Sequence, residues 1–504
     1  MSPANLPLPA PVKIATAAPP VPAETPVDAP ITQAVDLILQ QAHDTRATDI
    51  HIEPHETLVQ VRFRIDGTLR DVMTVPHQIA PAVTGRIKLM AQLKADECVV
   101  PQNGRLKYTI GSETIEARIS VLPVVGGEKV VIRILDDASK IRPLDNLGIA
   151  TPALHEIEHQ LKRGQGMTIV TGPTGSGKST TLYSMLGAIN AKDANISTIE
   201  DPVEYAVPGI NQVQVDTHSG MSFANSLRAV LRQDPNVIMV GELRDNETAN
   251  LAMQATMSGH PVFAGLYTKN AASAFPHLIN MNVEPFVVAT SVKTVVAQRL
   301  VRRLCPDCRE AYTVSTEELA RIGESFPIHR AIEVFHSLED TGDYPDSLPT
   351  LSEENSRTNK NANGENRKTI PVPDDLVTDR GGILDRIAAD PSLIERAGID
   401  DDDEASKHAK FKTSGRNYSP SDLTLYRAKG CTQCSMTGYF GRVGVFEVLE
   451  VTPQIIKLVT ESATAEDIQK KAANDGMLTL QEDGFIKALQ GMTTVEEIIP
   501  LAAT

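Results

Sequence analysis

The chain has 504 residues, a formal net charge of −16, and 41% apolar against 22% charged residues. That length predicts roughly three globular domains, and the acidic balance argues against a nucleic-acid carrier, whose affinity rests on Lys and Arg neutralising phosphates. No stretch approaches the ~18 uncharged apolar residues of a membrane span and no basic-then-apolar leader opens the chain. Four of the five cysteines form two C-x-x-C pairs, which in a cytoplasmic protein points to metal rather than disulfides.

Residues 1–30 carry nine prolines and hardly any apolar periodicity, so they read as a disordered arm. Order is expected from Ile31, where Val35, Ile38, Leu39 and Ala42 make a helical stripe. Leu58–Ile65 alternates like a strand and closes on the turn Asp66-Gly67, and a helix is expected around Thr84–Leu93. Thr114–Val121 and Lys129–Leu135 flank Gly126-Gly127 as a hairpin. The region 31–140 is therefore a mixed α/β domain. Within it, His51-Ile52-Glu53-Pro54-His55 has metal-ligand residue types, but Pro54 interrupts any element presenting them together, so a structural strand and turn is expected. Cys98 reads as a small buried apolar residue.

A β-branched run, Thr168–Thr171, leads into Gly172-Pro173-Thr174-Gly175-Ser176-Gly177-Lys178-Ser179, and Thr180 opens a helical stretch. Strand, G-x-x-x-x-G-K-[ST] and helix together specify a nucleoside triphosphate site. The glycines let successive N–H groups point at one anion beside a helix N-terminus. In that motif Lys178 reaches the β- and γ-phosphates and the Ser179 hydroxyl holds Mg²⁺, so residues 172–180 are assigned to the nucleoside triphosphate and its metal. A second strand over 195–199 ends in Glu200-Asp201, and a third over 237–240 leads to Glu242. Acids at strand ends near a phosphate loop hold Mg²⁺ through water or orient the attacking water. A helix over 248–257, the dipeptide Gly259-His260 and a strand over 262–266 follow, completing a nucleotide domain expected to span 141–300.

Cys305-x-x-Cys308 and Cys431-x-x-Cys434 have the spacing of a Cys₄ zinc site. They are far apart in sequence because a polar stretch at 352–368 and the acidic run at 400–404 read as a flexible insert, about 320–420, inside a 301–446 metal subdomain. Residues 447–504 read as a C-terminal helical region, with helices from Pro453, at Ala465, over 478–489 and over 494–501.

These motifs resemble the secretion ATPase family that powers type II secretion and type IV pilus assembly. The resemblance runs from about 31 to the end and rests on Ala47–Pro54, Arg62–Gly67, Pro101–Arg105, the phosphate loop, Ile199–Glu204, Leu231–Pro235 with Gly241–Asp245, Ala297–Arg302 and Thr437–Arg442. It implies a RecA-like P-loop ATPase core joined to an N-terminal PAS-like α/β domain, assembled as a homohexameric ring. Glu200 and Asp201 match the family's "Asp box", Glu242 its Walker B acid and His260 the first histidine of its "His box". Arg118 and Arg133 match arginines that the family aims at the nucleotide's phosphates, where an arginine adds roughly 10³–10⁵ in rate. Lys178, Glu200, Glu242, His260, Arg118 and Arg133 are thus the expected catalytic set. Three departures stand out: Tyr267 occupies the second His-box position, only the Pro-rich arm precedes residue 31 where relatives carry a further module, and the insert is long.

The expectation is a cytoplasmic motor, peripheral to the inner membrane, that hydrolyses ATP with Mg²⁺ to drive pilin or pseudopilin assembly through a platform protein. The cysteine pairs, with Zn²⁺, favour assembly over retraction. The alternatives are a DNA-translocating ring, which salt-dependent DNA binding would reveal, and a nucleotide-binding scaffold with little turnover, motivated by Tyr267.

Overall fold

The computed structural model describes residues 29–111, 113–135, 141–191, 194–325, 328–341 and 423–502. The expected Pro-rich arm up to residue 28 and the expected insert from 342 to 422 lie outside the described residues. The chain divides into two compact units at 134/135, rather than at the expected 140/141.

The first unit is one antiparallel sheet covered by two helices. Its elements are α1 (Ala29–Asp44), β1 (Asp49–Pro54), β2 (Leu58–Ile65), β3 (Thr68–Pro76), α2 (Ala80–Met90), β4 (Gln102–Ile110), β5 (Glu113–Val124) and β6 (Gly127–Ile134). The strand order is β3-β2-β1-β6-β5-β4. Period-two alternation buries Ile50 and Ile52, Val61 and Phe63, Ile119 and Val121, and Val130 and Ile132 against the α1 stripe Val35, Ile38, Leu39 and Ala42. α2 begins earlier than its apolar pattern suggests because Pro81 suits the first helical turn, where its missing N–H costs nothing. β4 has no clear sequence signal. Full pairing with β5 holds it extended, and Gly104 fits because a Cβ there would come within 3.2 Å of Leu93 and Ala91. Pro54 closes β1 instead of interrupting it. Cys98, expected buried, is exposed in the connection between α2 and β4.

The second unit is built on a seven-stranded sheet of order β15-β12-β7-β11-β10-β8-β9. Its strands are β7 (Met167–Thr171), β8 (Ile196–Glu200), β9 (Ile210–Gln214), β10 (Val237–Val240), β11 (Val262–Leu266), β12 (Val292–Leu304) and β15 (Tyr439–Glu450). All neighbours are parallel except β12 with β15. Helices cover both faces, so the inner strands read as unbroken apolar runs rather than alternating ones. Ile169, Ile238, Val240 and Ala264 face one core, packed by α5 (Phe223–Val230), α6 (Asn246–Met257), α7 (Ala274–Asn280) and α8 (Pro285–Ser291). Val170, Met239 and Phe263 face the other, packed by α3 (Thr151–Arg163) and α4 (Lys178–Ile189).

Beyond this sheet, β13 (Arg309–Thr313) pairs with β14 (Thr424–Ala428). The insert expected from about 320 starts later. α9 (Thr316–Ser325) and α10 (His329–Thr341) are helices whose Ile322, Ile332 and Val334 are buried with Phe485 and Ile486. The four C-terminal helices are α11 (Pro453–Thr460), α12 (Ala465–Asn474), α13 (Leu480–Leu489) and α14 (Val495–Ile498). A boundary at 446/447 does not match this architecture: β15 crosses it and forms an edge of the main sheet, as β12 crosses the one expected at 300.

Candidate functional site

The carboxyl ends of the parallel strands gather the nucleotide motifs at one edge of the second unit's sheet, where open α/β sheets bind ligands. The Gly172 N–H donates to Leu266 O at 3.3 Å, Gly241 N–H to Ile199 O at 2.8 Å and Leu243 N–H to Gly265 O at 2.9 Å, so β7, β8, β10 and β11 meet there. Gly265 permits the approach: a Cβ would lie 2.1 Å from Gly241 O. In the phosphate loop, Gly172 (φ +152) and Gly177 (φ +92) lie in the region that favours glycine, and a Cβ at either would strike Gln298 of β12 at 2.5–2.6 Å. Gln298 also accepts from Thr181 Oγ1 at 2.6 Å, tying α4 to β12.

Lys178 Nζ donates to Gly172 O at 2.6 Å and Pro173 O at 3.1 Å. Burial pushes this ammonium down to about 8, with Glu242 raising and Arg299 lowering it further. Ser179 is exposed at the start of α4. The two acids differ in kind. Glu200 is buried and accepts from Thr198 Oγ1 at 2.6 Å, Gln212 Nε2 at 3.1 Å and the Tyr183 hydroxyl. Burial raises its pKa despite those donors. Glu242 is more open, and Arg244 spans the two strand ends, donating from Nε to Glu242 at 2.7 Å and from Nη1 to Asp201 at 2.7 Å. Sequence reasoning missed Arg244, Tyr183 and Gln298; only their adjacency to the motifs could have flagged them.

His260 is not gathered with these groups within one chain. It lies at the amino end of β11, its Nδ1 3.1 Å from Ala255 O, whereas the loop sits at the carboxyl end beside Leu266, about 16 Å along a five-residue strand. Tyr267 is at that near end, its hydroxyl 2.6 Å from Thr174 Oγ1.

In the first unit, Arg118 and Arg133 are directly paired across β5 and β6. The register extends this row to Arg105 on β4, and through Asp49 to Arg64 on β2. Asp49 accepts from Arg133 Nε at 2.8 Å. Burial alone would raise this carboxyl, but the hydrogen bonds from Arg133 and Thr48 and the charges of Arg133 and Arg64 hold it below the usual range. His51 and Glu53 share a face of β1, but Glu53 is taken by Arg62 at 2.7 Å and Lys129 at 2.7 Å, which supports the structural reading of that segment.

The two cysteine pairs meet although the insert separates them in sequence. β12 leads into Cys305 and β15 follows Cys434, and these strands pair up to Leu304 with Tyr439. β13 follows Cys308 and β14 precedes Cys431, and they pair from Arg309 with Ala428. Sγ separations are 3.8 Å for 305–431, 3.8 Å for 308–434 and 3.7 Å for 431–434. Four sulfurs at about 2.3 Å from one tetrahedral zinc would stand about 3.8 Å apart, so the cluster fits that ion. Backbone N–H groups of Cys431 and Gly438 donate to Cys434 Sγ at 3.2 Å each, an arrangement that favours a thiolate. Among the described residues this is the one cluster with metal-binding geometry.

Residues 24–341 and 402–500 match the model of the type II/IV secretion system protein family. The chain belongs to that family. As a secretion-family member it is an ATP hydrolase. It is 35% identical to the type IV pilus assembly ATPase PilB of Myxococcus xanthus, covering 94% of this chain and 68% of that protein. It is also 35% identical to the type II secretion system protein HxcR of Pseudomonas aeruginosa, over 94% of this chain and 77% of the relative. The fold is shared with the Legionella pneumophila ATPase DotB, with a TM-score of 0.57 at 15% identity over 96% of this chain and 98% of that one. Among the described residues no helix of this family member is long and apolar enough to cross a membrane.

Proposed function

We propose that this ATPase works as a cytoplasmic homohexameric motor, docked on an inner-membrane platform protein, that drives pilin or pseudopilin assembly. The observation that carries the proposal is the convergence of the phosphate loop with two acid-bearing strand ends, Glu200-Asp201 and Glu242, at one sheet edge. In this reading Gly172–Thr180 cradles the triphosphate and Lys178 offers its charge to the phosphates. The Ser179 hydroxyl and the open carboxylates of Glu242 and Asp201 would hold Mg²⁺, which supplies charge neutralisation at the transferring phosphoryl group. Glu242, less buried than Glu200 and held by Arg244, would orient water, while Glu200 acts from behind through its hydrogen-bonded position. His260 is assigned no role within its own chain. Arg118 and Arg133 are assigned to the nucleotide's phosphates, with Arg105 and Arg64 in the same row. Cys305, Cys308, Cys431 and Cys434 hold a structural Zn²⁺, whose chemistry is cross-linking rather than catalysis.

The test is phosphate release from the full chain with ATP and magnesium, for the wild type and Lys178→Ala, with and without the purified platform protein. We expect clear turnover, raised by the platform, and a loss of roughly 10²–10³-fold or more in the variant, as for other single charge-stabilising groups. Equal, near-zero rates in both proteins would favour a nucleotide-ordered scaffold and remove the motor.

A further inference from the structure

We propose that Tyr267 competes with the nucleotide's phosphates for Lys178 and so sets the affinity of this site. The proposal rests on the nucleotide reading of the phosphate loop. An ammonium has three N–H donors, and here it makes three contacts. Two go to the carbonyls of Gly172 and Pro173 at 2.6 and 3.1 Å. The Tyr267 ring packs against the same ammonium, its centroid 3.9 Å from Nζ. The ring is held over the loop from its far side as well, because the Tyr267 hydroxyl and Thr174 Oγ1 are 2.6 Å apart.

The backbone beneath the ring is fixed. Leu266 O accepts from Gly172 N–H at 3.3 Å and from Thr171 Oγ1 at 3.1 Å, and Thr268 N–H donates to Thr171 Oγ1 at 2.9 Å. The residue is 42% exposed. A ring on a pinned backbone with an open side can leave by side-chain rotation alone, without disturbing the strand end. For Lys178 to reach a phosphate, at least one of its three contacts must break. The contact with the ring face is the weakest, being a cation–π interaction beside two hydrogen bonds to carbonyl oxygens. Phosphate therefore enters where the ring sits, and the Tyr267–Thr174 hydrogen bond opposes that exchange. This gives the departure from histidine at the second His-box position a physical consequence.

The experiment measures equilibrium binding of Mg-ADP and of a non-hydrolysable Mg-ATP analogue to the full-length wild type, Tyr267→Phe, Tyr267→Ala and Lys178→Ala, with thermal melting to show that each is folded. Removing a cation–π contact and one exposed hydrogen bond corresponds to roughly five- to fiftyfold in affinity. We expect Tyr267→Ala to bind both nucleotides about tenfold more tightly than the wild type, with Tyr267→Phe between them because it keeps the ring and loses the hydroxyl. Tighter binding is a result that a merely structural tyrosine would not give. Unchanged or weaker binding in a folded Tyr267→Ala, alongside lost binding in Lys178→Ala, overturns this inference alone. No binding by the wild type, or equal binding by Lys178→Ala, overturns the phosphate-loop reading and the competition together.

Discussion

Glu447 joins four elements of the second unit, and its replacement gives the sharpest test of how that unit is held together. It is buried in β15 and accepts from Ala271 N–H after β11 at 2.8 Å, from Gln469 Nε2 of α12 at 2.9 Å and from Leu480 N–H at 3.3 Å. Leu480 is the first residue of α13, so the carboxylate also satisfies one of the donors that a helix N-terminus leaves open. Glu447→Ala strands the Ala271 and Leu480 N–H groups, both buried. Each buried unsatisfied donor costs about 1–3 kcal/mol, and the Gln469 contact adds a further ~1 kcal/mol, which gives a loss of about 3–7 kcal/mol. That is a large share of the ~5–15 kcal/mol by which folded domains exceed their unfolded chains. Glu447→Gln keeps one acceptor oxygen and should lose roughly 1–3 kcal/mol.

The assay is urea unfolding at matched m-values, repeated across pH. Burial pushes Glu447 above its ordinary value of 4.5, against the pull of the Ala271, Gln469 and Leu480 hydrogen bonds and the Arg299 charge. Between the unfolded value and this raised folded value, the folded state binds more protons. This group's contribution therefore falls as pH rises through that window and is flat above it. Glu447→Gln cannot titrate and should lose that slope. A Glu447→Ala protein within about 1 kcal/mol of the wild type would refute the hydrogen-bond accounting.

Two further outcomes follow from the site. Freshly purified protein should carry about one zinc per chain, lost in Cys305→Ser with faster amide exchange over 423–442 and not over β7 or β10; metal analysis that finds none in the wild type would remove the assignment. Arg244→Gln frees Glu242 and Asp201 from their shared guanidinium, so the magnesium concentration for half-maximal turnover should fall by roughly two- to fivefold while maximal turnover declines; an unchanged magnesium dependence would show that the bridge does not compete with the metal.

The sequence by itself determined whatever depends on local chemistry. The phosphate loop, the acid strand ends, the C-x-x-C pairs and the buried strands at 237–240 and 262–266 were legible because glycine placement, apolar runs and ligand spacing are short-range signals. What the tertiary structure decided is which of those signals meet. His260 and Tyr267 bracket one strand, and only strand direction shows that the tyrosine, not the histidine, stands over Lys178. Strand β15 lies far along the chain from its partner, so no periodicity could show that it completes the main sheet or that its Glu447 anchors three other elements. The arginine row from Arg105 to Arg64 exists only through register across five strands. Long-range pairing is set by which surfaces can be buried together, and that is a property of the folded whole rather than of any stretch within it.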